Sequence, residues 1–348
     1  MTIAVLGAGS WGTTFAKVLA DAGHDVLLWA RRAEAAEEIN SARTNSRYLP
    51  DIELPESIRA STDVAEVLAA AEVVVLAVPA QSLRENLTAW APLLRPDAVL
   101  VSLMKGIEVS TGKRMSEVIA EVTGAGPERI AIVSGPNLAK EIAVGQPTAT
   151  VVACADEAVA ERIAGLTANA YFRPYTNDDV VGVELGGAIK NVIALAVGIT
   201  DGQGMGDNSK ASIITRGLAE TTRLALAMGA DAHTLAGLAG LGDLVATCAS
   251  PLSRNRSFGR LLGEGLSLEE ATTRTAQTAE GVKSASAVLA LGRAHDVELP
   301  ITQGVTAVLA GRLHVDELGA LLLSRKRKTE SPMKYDQEPG TPPAEEEI

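Results

Sequence analysis

Aromatic residues make up only 3% of this 348-residue chain, and cysteine occurs twice. The first scarcity leaves few rings to stack on nucleic-acid bases or to sit at a membrane interface. The two thiols, Cys154 and Cys248, cannot frame a disulfide-rich fold; they suit a reducing compartment and read as small buried apolar groups. Positive charge is also short. Lysine and arginine total 31 against 43 acidic residues, a net charge of −12, which repels nucleic acid and anionic lipid. Any small anion must therefore be held in a local cationic pocket. No charged-then-apolar leader precedes Ile3, and no uninterrupted apolar run has the length to span a bilayer. The expectation is a cytoplasmic chain with no stable membrane insertion, no nucleic-acid partner and no metal site.

What is present fits an ordinary globular protein long enough for two domains, 47% hydrophobic and 21% charged. Residues 3–6 form a short apolar run ending at Gly7, as a buried parallel strand does. Trp11, Phe15, Val18 and Leu19 then recur at helical spacing until Gly23. A second strand follows over 25–30. Further strands are expected over 72–79, 98–106, 129–137 and 148–153. Strands alternating with helical stretches predict a doubly wound sheet. Gly7, Arg31, Pro79, Lys105 and Gly135 fall at carboxyl ends of strands, where such sheets place their ligand crevice. From residue 181 the texture is helical and punctuated by glycine, without strands, to residue 323. The expected division is 1–180, 181–323 and a disordered, charged and proline-containing tail over 324–348.

The turn "GAGSWG" places Gly7, Gly9 and Gly12 after a strand and at the start of a helix, the context a dinucleotide-binding turn requires. Gly7 permits the bend, Gly9 the approach of a phosphate, and Gly12 the packing of helix on sheet. An acid about 20 residues on would hold the ribose hydroxyls of NAD. This chain has Arg31 and Arg32 there, a pair suited to a 2′-phosphate or else simply solvated. NADP(H) is the preferred expectation, with NAD(H) possible.

Reduction of a carbonyl needs a proton donor beside the nicotinamide, and none of the four histidines is well placed. Two lysines stand in apolar company: Lys105 at the end of "VLVSLMKG" and Lys190 within "GGAIKNVIALA". Each either snorkels to the surface or works. Asp243 follows "LAGLG". Ser253, Arg254 and Asn255 then form a polar set that is either a phosphate site or an ordinary interhelical loop.

Seven segments in order, "GAGSWGTT", "VPAQSLR", "SLMKGIE", "SGPNLAKEIA", "ELGGAIKNVIALAVGITDGQGMGDNSKA", "LAGLGDLVATCASPLSRNRSFG" and "AEGVKSA", closely resemble the bacterial NAD(P)-dependent glycerol-3-phosphate dehydrogenase family over nearly all of residues 1–323. The resemblance implies an α/β fold: an N-terminal Rossmann-type doubly wound sheet and an all-helical C-terminal domain of the 6-phosphogluconate dehydrogenase type. It implies reversible reduction of dihydroxyacetone phosphate to sn-glycerol 3-phosphate, supplying glycerophospholipid synthesis, by a homodimer. Carried over by motif, Lys190 is the proton donor or acceptor. Lys105, Gly135, Asn137, Asn191, Asp243, Ser253, Arg254 and Asn255 bind substrate, with Thr247 a weaker candidate. Ser10, Trp11, Arg31, Arg32, Lys105, Ala139, Arg254 and Glu280 meet the cofactor. Asn137 stands where many relatives have serine. Two rival readings are a related two-domain NADP-dependent hydroxy-acid dehydrogenase, acting on 6-phosphogluconate or ketopantoate, and a non-catalytic NADP-sensing protein. The latter would have no reason to keep Lys105, Lys190 and Asp243 together.

Overall fold

The computed structural model describes residues 2–275 and 279–319; the expected tail over 324–348 lies outside them. Eight strands build one sheet: β1 (Thr2–Leu6), β2 (Val26–Trp29), β3 (Ile58–Ser61), β4 (Ala71–Leu76), β5 (Val99–Ser102), β6 (Ile130–Ser134), β7 (Thr148–Ala153) and β8 (Phe172–Asn177). Their spatial order is β3-β2-β1-β4-β5-β6-β7-β8. The first six run parallel, and the order reverses at β1 between β2 and β4, the switch point where such sheets bind ligands. Val5 stands beside Leu28 on one side and Val75 on the other, so the core of this half is a ladder of aliphatic side chains.

The expected doubly wound sheet is present, and its last two strands reverse direction. β7 runs antiparallel to β6, and β8 pairs parallel with β7, so the last two strands point the other way. Two strands also escape the sequence reading. β3 has only four residues, and β8 carries Pro174, which lacks an N–H and is tolerated because β8 is an outer edge. The strands expected over 72–79, 98–106 and 129–137 stop earlier, at Leu76, Ser102 and Ser134. Their last residues leave the ladder to form the lips of the crevice.

No strand follows Asn177 among the described residues. The helix Val180–Gly202 runs through the centre of the second half, and every residue from Gly182 to Thr200 is buried. At 23 residues it is long and apolar enough to cross a membrane, contrary to the expectation of too short a run, yet 89% of its most apolar window is buried inside the protein. Its closest neighbour is the helix Arg254–Gly263, and glycines set their spacing. A Cβ on Gly259 would lie 2.2 Å from the Leu195 carbonyl oxygen, and one on Gly198 would lie 2.1 Å from that of Arg256. Gly202 and Gly263 repeat the arrangement one turn on. The two backbones therefore touch, which brings the start of Arg254–Gly263 beside the Lys190 and Asn191 turn.

Candidate active site

The glycine turn lies at the switch point as expected. Gly7 has φ +131°, and a Cβ there would lie 2.6 Å from the Ala77 carbonyl oxygen, so the segments after β1 and β4 pass this closely only because this residue has no side chain. Gly9 caps the helix Ser10–Asp21 with open space around it and no side chain closing the helix end, and no acid occupies the first turn. A helix start left open and positive is an anion cradle. Trp11 Nε1 is buried beside it without a hydrogen-bond partner. These features fit a bound dinucleotide.

The segment 43–51 covers this turn, a contribution that motif reading missed. Asn45 donates to the Ala8 carbonyl at 3.0 Å and to Thr13 Oγ1 at 2.8 Å, and Ser10 Oγ donates to the Tyr48 carbonyl at 3.1 Å. The only signal for it was a polar run, "RTNSRY", after an amphipathic helix. Arg31 and Arg32 follow β2; Arg31 is exposed, and Arg32 is half-buried at the start of the helix Ala33–Ala42. Ala139 opens the helix Ala139–Ala143, and its carbonyl accepts from Thr14 Oγ1 of the glycine-turn helix at 3.2 Å.

Lys105 and Lys190, 85 positions apart, meet on one carboxylate. Asp243, 1% exposed, accepts from Lys105 Nζ through Oδ2 at 2.7 Å and from Lys190 Nζ through Oδ1. Lys105 also donates to the Gly135 carbonyl at 2.8 Å, and Lys190 to Thr247 Oγ1 at 2.7 Å. One acid between two buried bases leaves a net positive charge in the crevice of a negatively charged protein. Burial pushes Lys105 down to about 8; the Lys190 charge adds to that fall and Asp243 opposes it.

The other predicted residues surround this centre. Asn191 Nδ2 reaches the Lys105 carbonyl at 3.4 Å, and its Oδ1 accepts from Asn255 Nδ2 at 2.9 Å. Asn255 Oδ1 in turn accepts from Gly281 N at 2.9 Å, so an amide chain ties three helices together. Ser253 Oγ accepts from Arg256 N at 3.2 Å as the cap of Arg254–Gly263. Much of the polar capacity of the Ser253 and Asn255 pair is thus spent holding the helix start in place. Arg254 is the exposed member of the set. Glu280 starts the helix Glu280–Ala294, and burial raises its pKa against the pull of Arg254 and Lys283. Its Oε2 is buried without a partner. Asn137 donates to Thr150 Oγ1 at 3.0 Å, leaving Oδ1 buried and unpaired near Gly135. Cys248 lies close by, but burial pushes its thiol up to about 12, which makes it no nucleophile.

A reversed-order sheet with a glycine turn, joined to a helical half that supplies a lysine, is the architecture of a two-domain nicotinamide-dependent dehydrogenase. Family models for the N-terminus and C-terminus of NAD-dependent glycerol-3-phosphate dehydrogenase match residues 2–160 and 179–320. The chain is 62% identical to glycerol-3-phosphate dehydrogenase [NAD(P)+] of Streptomyces avermitilis, covering 94% of this chain and 97% of that one. It is 60% identical to the enzyme of that name from Thermobifida fusca, covering 94% and 98%. The crystal structure of glycerol-3-phosphate dehydrogenase from Coxiella burnetii superposes with a TM-score of 0.89 at 39% identity, over 93% of this chain and 99% of that one. The chain belongs to the NAD-dependent glycerol-3-phosphate dehydrogenase family.

Proposed function

We propose that the chain reduces dihydroxyacetone phosphate reversibly to sn-glycerol 3-phosphate, with NADP(H) preferred and NAD(H) accepted, and so supplies glycerophospholipid synthesis. The observation that carries the reading is the meeting of Lys105 and Lys190 on Asp243, at the mouth of the glycine-turn crevice. Residues 1–180 form the cofactor half and 181–323 the substrate half.

When bound, the nicotinamide supplies the hydride. Gly9 and the open start of Ser10–Asp21 would hold the pyrophosphate, Ser10, Trp11, Ala139 and Glu280 would bind the rest of the dinucleotide, and Arg31 and Arg32 would take a 2′-phosphate. Lys190 Nζ gives a proton to the oxygen of the reacting carbon in reduction and takes it back in oxidation. Asp243 and Thr247 aim that ammonium; Asp243 also keeps Lys105 in the crevice, where its charge favours a developing oxyanion. Arg254 is the candidate fork for the substrate phosphate, with Ser253 and Asn255 fixing the helix start behind it. Gly135, Asn137 and Asn191 complete the substrate wall. Cytoplasmic action as a homodimer belongs to the same proposal.

A substrate panel of dihydroxyacetone phosphate, 6-phosphogluconate and ketopantoate, run with NADPH and NADH, tests it. Turnover confined to the triose phosphate supports the reading. Turnover on either acid alone, or tight NADPH binding with no turnover, would overturn it.

A further inference from the structure

The segment that carries Lys105 is gripped from behind by a side chain with no role so far. Gln81, just after β4, donates from Nε2 to the Ile107 carbonyl at 2.8 Å and accepts through Oε1 from Val109 N at 3.0 Å. Those backbone groups belong to alternate residues, so the single amide imitates a neighbouring strand. On the far side of the same segment, Ile107 bridges Arg114 in antiparallel register and Glu108 N donates to the Lys113 carbonyl at 2.9 Å. Gln81 thereby completes a miniature ladder where β5 has already ended. A second strap lies beside it. Arg84 forks onto Glu108 with two bonds of 3.0 Å, and Thr111 adds a third to the same carboxylate.

The grip is two residues from Lys105, whose ammonium must reach both Gly135 and Asp243. The Lys105 stem lies across Gly187, with its Cγ 3.4 Å from where a Cβ would stand, so lateral play at its backbone translates directly into the position of Nζ. Ile107 is wholly buried in the apolar core of the helical half. Pulling Ile107 one way and holding Val109 another requires a partner on the sheet side, and Gln81 is that partner.

Resting on the proposed reaction, we infer that Gln81 is a positioning residue, which acts on catalysis by holding Lys105 in the crevice and not by touching substrate or cofactor. Misplacing a reacting group by about 1 Å costs up to about 10²-fold in rate. Gln81→Ala is therefore expected to lower kcat by roughly tenfold to 10²-fold with little change in KM.

The test is a double-mutant cycle of Gln81→Ala, Lys105→Ala and the pair, with kcat and KM for dihydroxyacetone phosphate, NADPH affinity by fluorescence, and the pH profile. Because Gln81 works through Lys105, its removal from the Lys105→Ala enzyme costs nothing further. NADPH affinity of Gln81→Ala falls no further than that of Lys105→Ala, and its alkaline limb moves to higher pH as Lys105 loses its burial. Gln81→Glu keeps an acceptor for Val109 but sets a carboxylate oxygen against the Ile107 carbonyl, and serves if Gln81→Ala does not fold; it is expected to show the same non-additivity. Three results overturn the inference: wild-type kinetics in Gln81→Ala and Gln81→Glu, a full additional loss in the Lys105→Ala background, or weakened NADPH binding in both backgrounds. Lys190→Ala runs alongside. If it is impaired while the Gln81 variants are not, this inference alone fails; if it turns over normally, the underlying reaction scheme fails first.

Discussion

At the scale of single residues, Asp243 decides the character of the site. A carboxylate shared by two ammonium groups leaves a surplus charge where an anionic substrate and a developing oxyanion need it. On the proposed reaction, Lys105 carries the pH dependence. Its pKa is lowered from 10.5 to about 8 chiefly by burial, so it is cationic below that value and neutral above it. Reduction of dihydroxyacetone phosphate is then expected to fall as pH rises through about 8. Lys105→Arg, charged throughout, should lose this limb in a plot of log kcat/KM against pH, whatever its absolute rate. Removing the charge of Asp243 should be worse than removing one lysine, because two buried cations then repel without a counterion. Asp243→Asn is expected to lose kcat by more than Lys105→Ala does, which steady-state assays of the two proteins compare directly.

At the scale of elements, glycines and caps set how the parts approach. A methyl group on Gly259 meets the Leu195 carbonyl oxygen at 2.2 Å, so the helices Val180–Gly202 and Arg254–Gly263 must separate to admit it. Gly259→Ala is expected to destabilise the protein by about 1–3 kcal/mol, read as a lowered Tm, and to weaken substrate binding because Arg254 and Asn255 move with the helix. Glu220 gives a second, pH-dependent case. It is buried and accepts from Ile301 N at 2.6 Å and Thr302 N at 3.3 Å, capping the helix Pro300–Leu309. Burial, opposed by those backbone bonds, raises its pKa from 4.5 to about 7. The folded state therefore holds a proton that the unfolded state releases between these values, so this contribution to stability is full below pH 4.5 and lost as pH rises through about 7. Glu220→Gln should flatten the fall in Tm over that interval; an unchanged slope would contradict the assignment.

Elements also show what a sequence can and cannot reveal. β1, the glycine turn and β4 were legible because a buried parallel strand must be continuously apolar and a tight turn must spend glycine. β8 was not legible, since an edge strand with one exposed face tolerates Pro174 and Arg173 and carries no period worth reading. The reversal at β7 was equally hidden, because strand direction depends on the connection and not on the side chains. In the site, Lys105 and Lys190 were conspicuous as charges in apolar runs. The cover made by Asn45 and Tyr48, and the grip of Gln81, were invisible because each acts mainly through backbone atoms brought near only by the fold.

At the scale of the whole molecule, the proposed reaction centre lies where the two halves meet. β5 and β6 bring Lys105 and Gly135, while the long helix and its neighbour bring Lys190, Asn191 and Asp243. A further junction reinforces this: Glu184 of the long helix accepts from Arg114 Nη1 at 2.7 Å and from Ser116 N at 2.8 Å of the sheet half. Burial raises the Glu184 pKa against the pull of Arg114. On the proposed function, Arg31 and Arg32 are the discriminator of the cofactor half, at a strand end where an acid would select NAD. The double change Arg31→Ala and Arg32→Ala is expected to lose NADPH affinity by at least tenfold, as two charge-assisted forks to a phosphate are removed, while NADH affinity hardly changes. Equilibrium binding of both nucleotides checks it.

The most direct test of the central claim, that an amine from the helical half exchanges a proton with the triose ketone, is the single-turnover rate of NADPH oxidation by dihydroxyacetone phosphate in Lys190→Ala. General acid assistance is worth about 10²–10⁴-fold, so the rate should fall by that factor while NADPH binding persists. A rate within a few-fold of wild type would contradict the account.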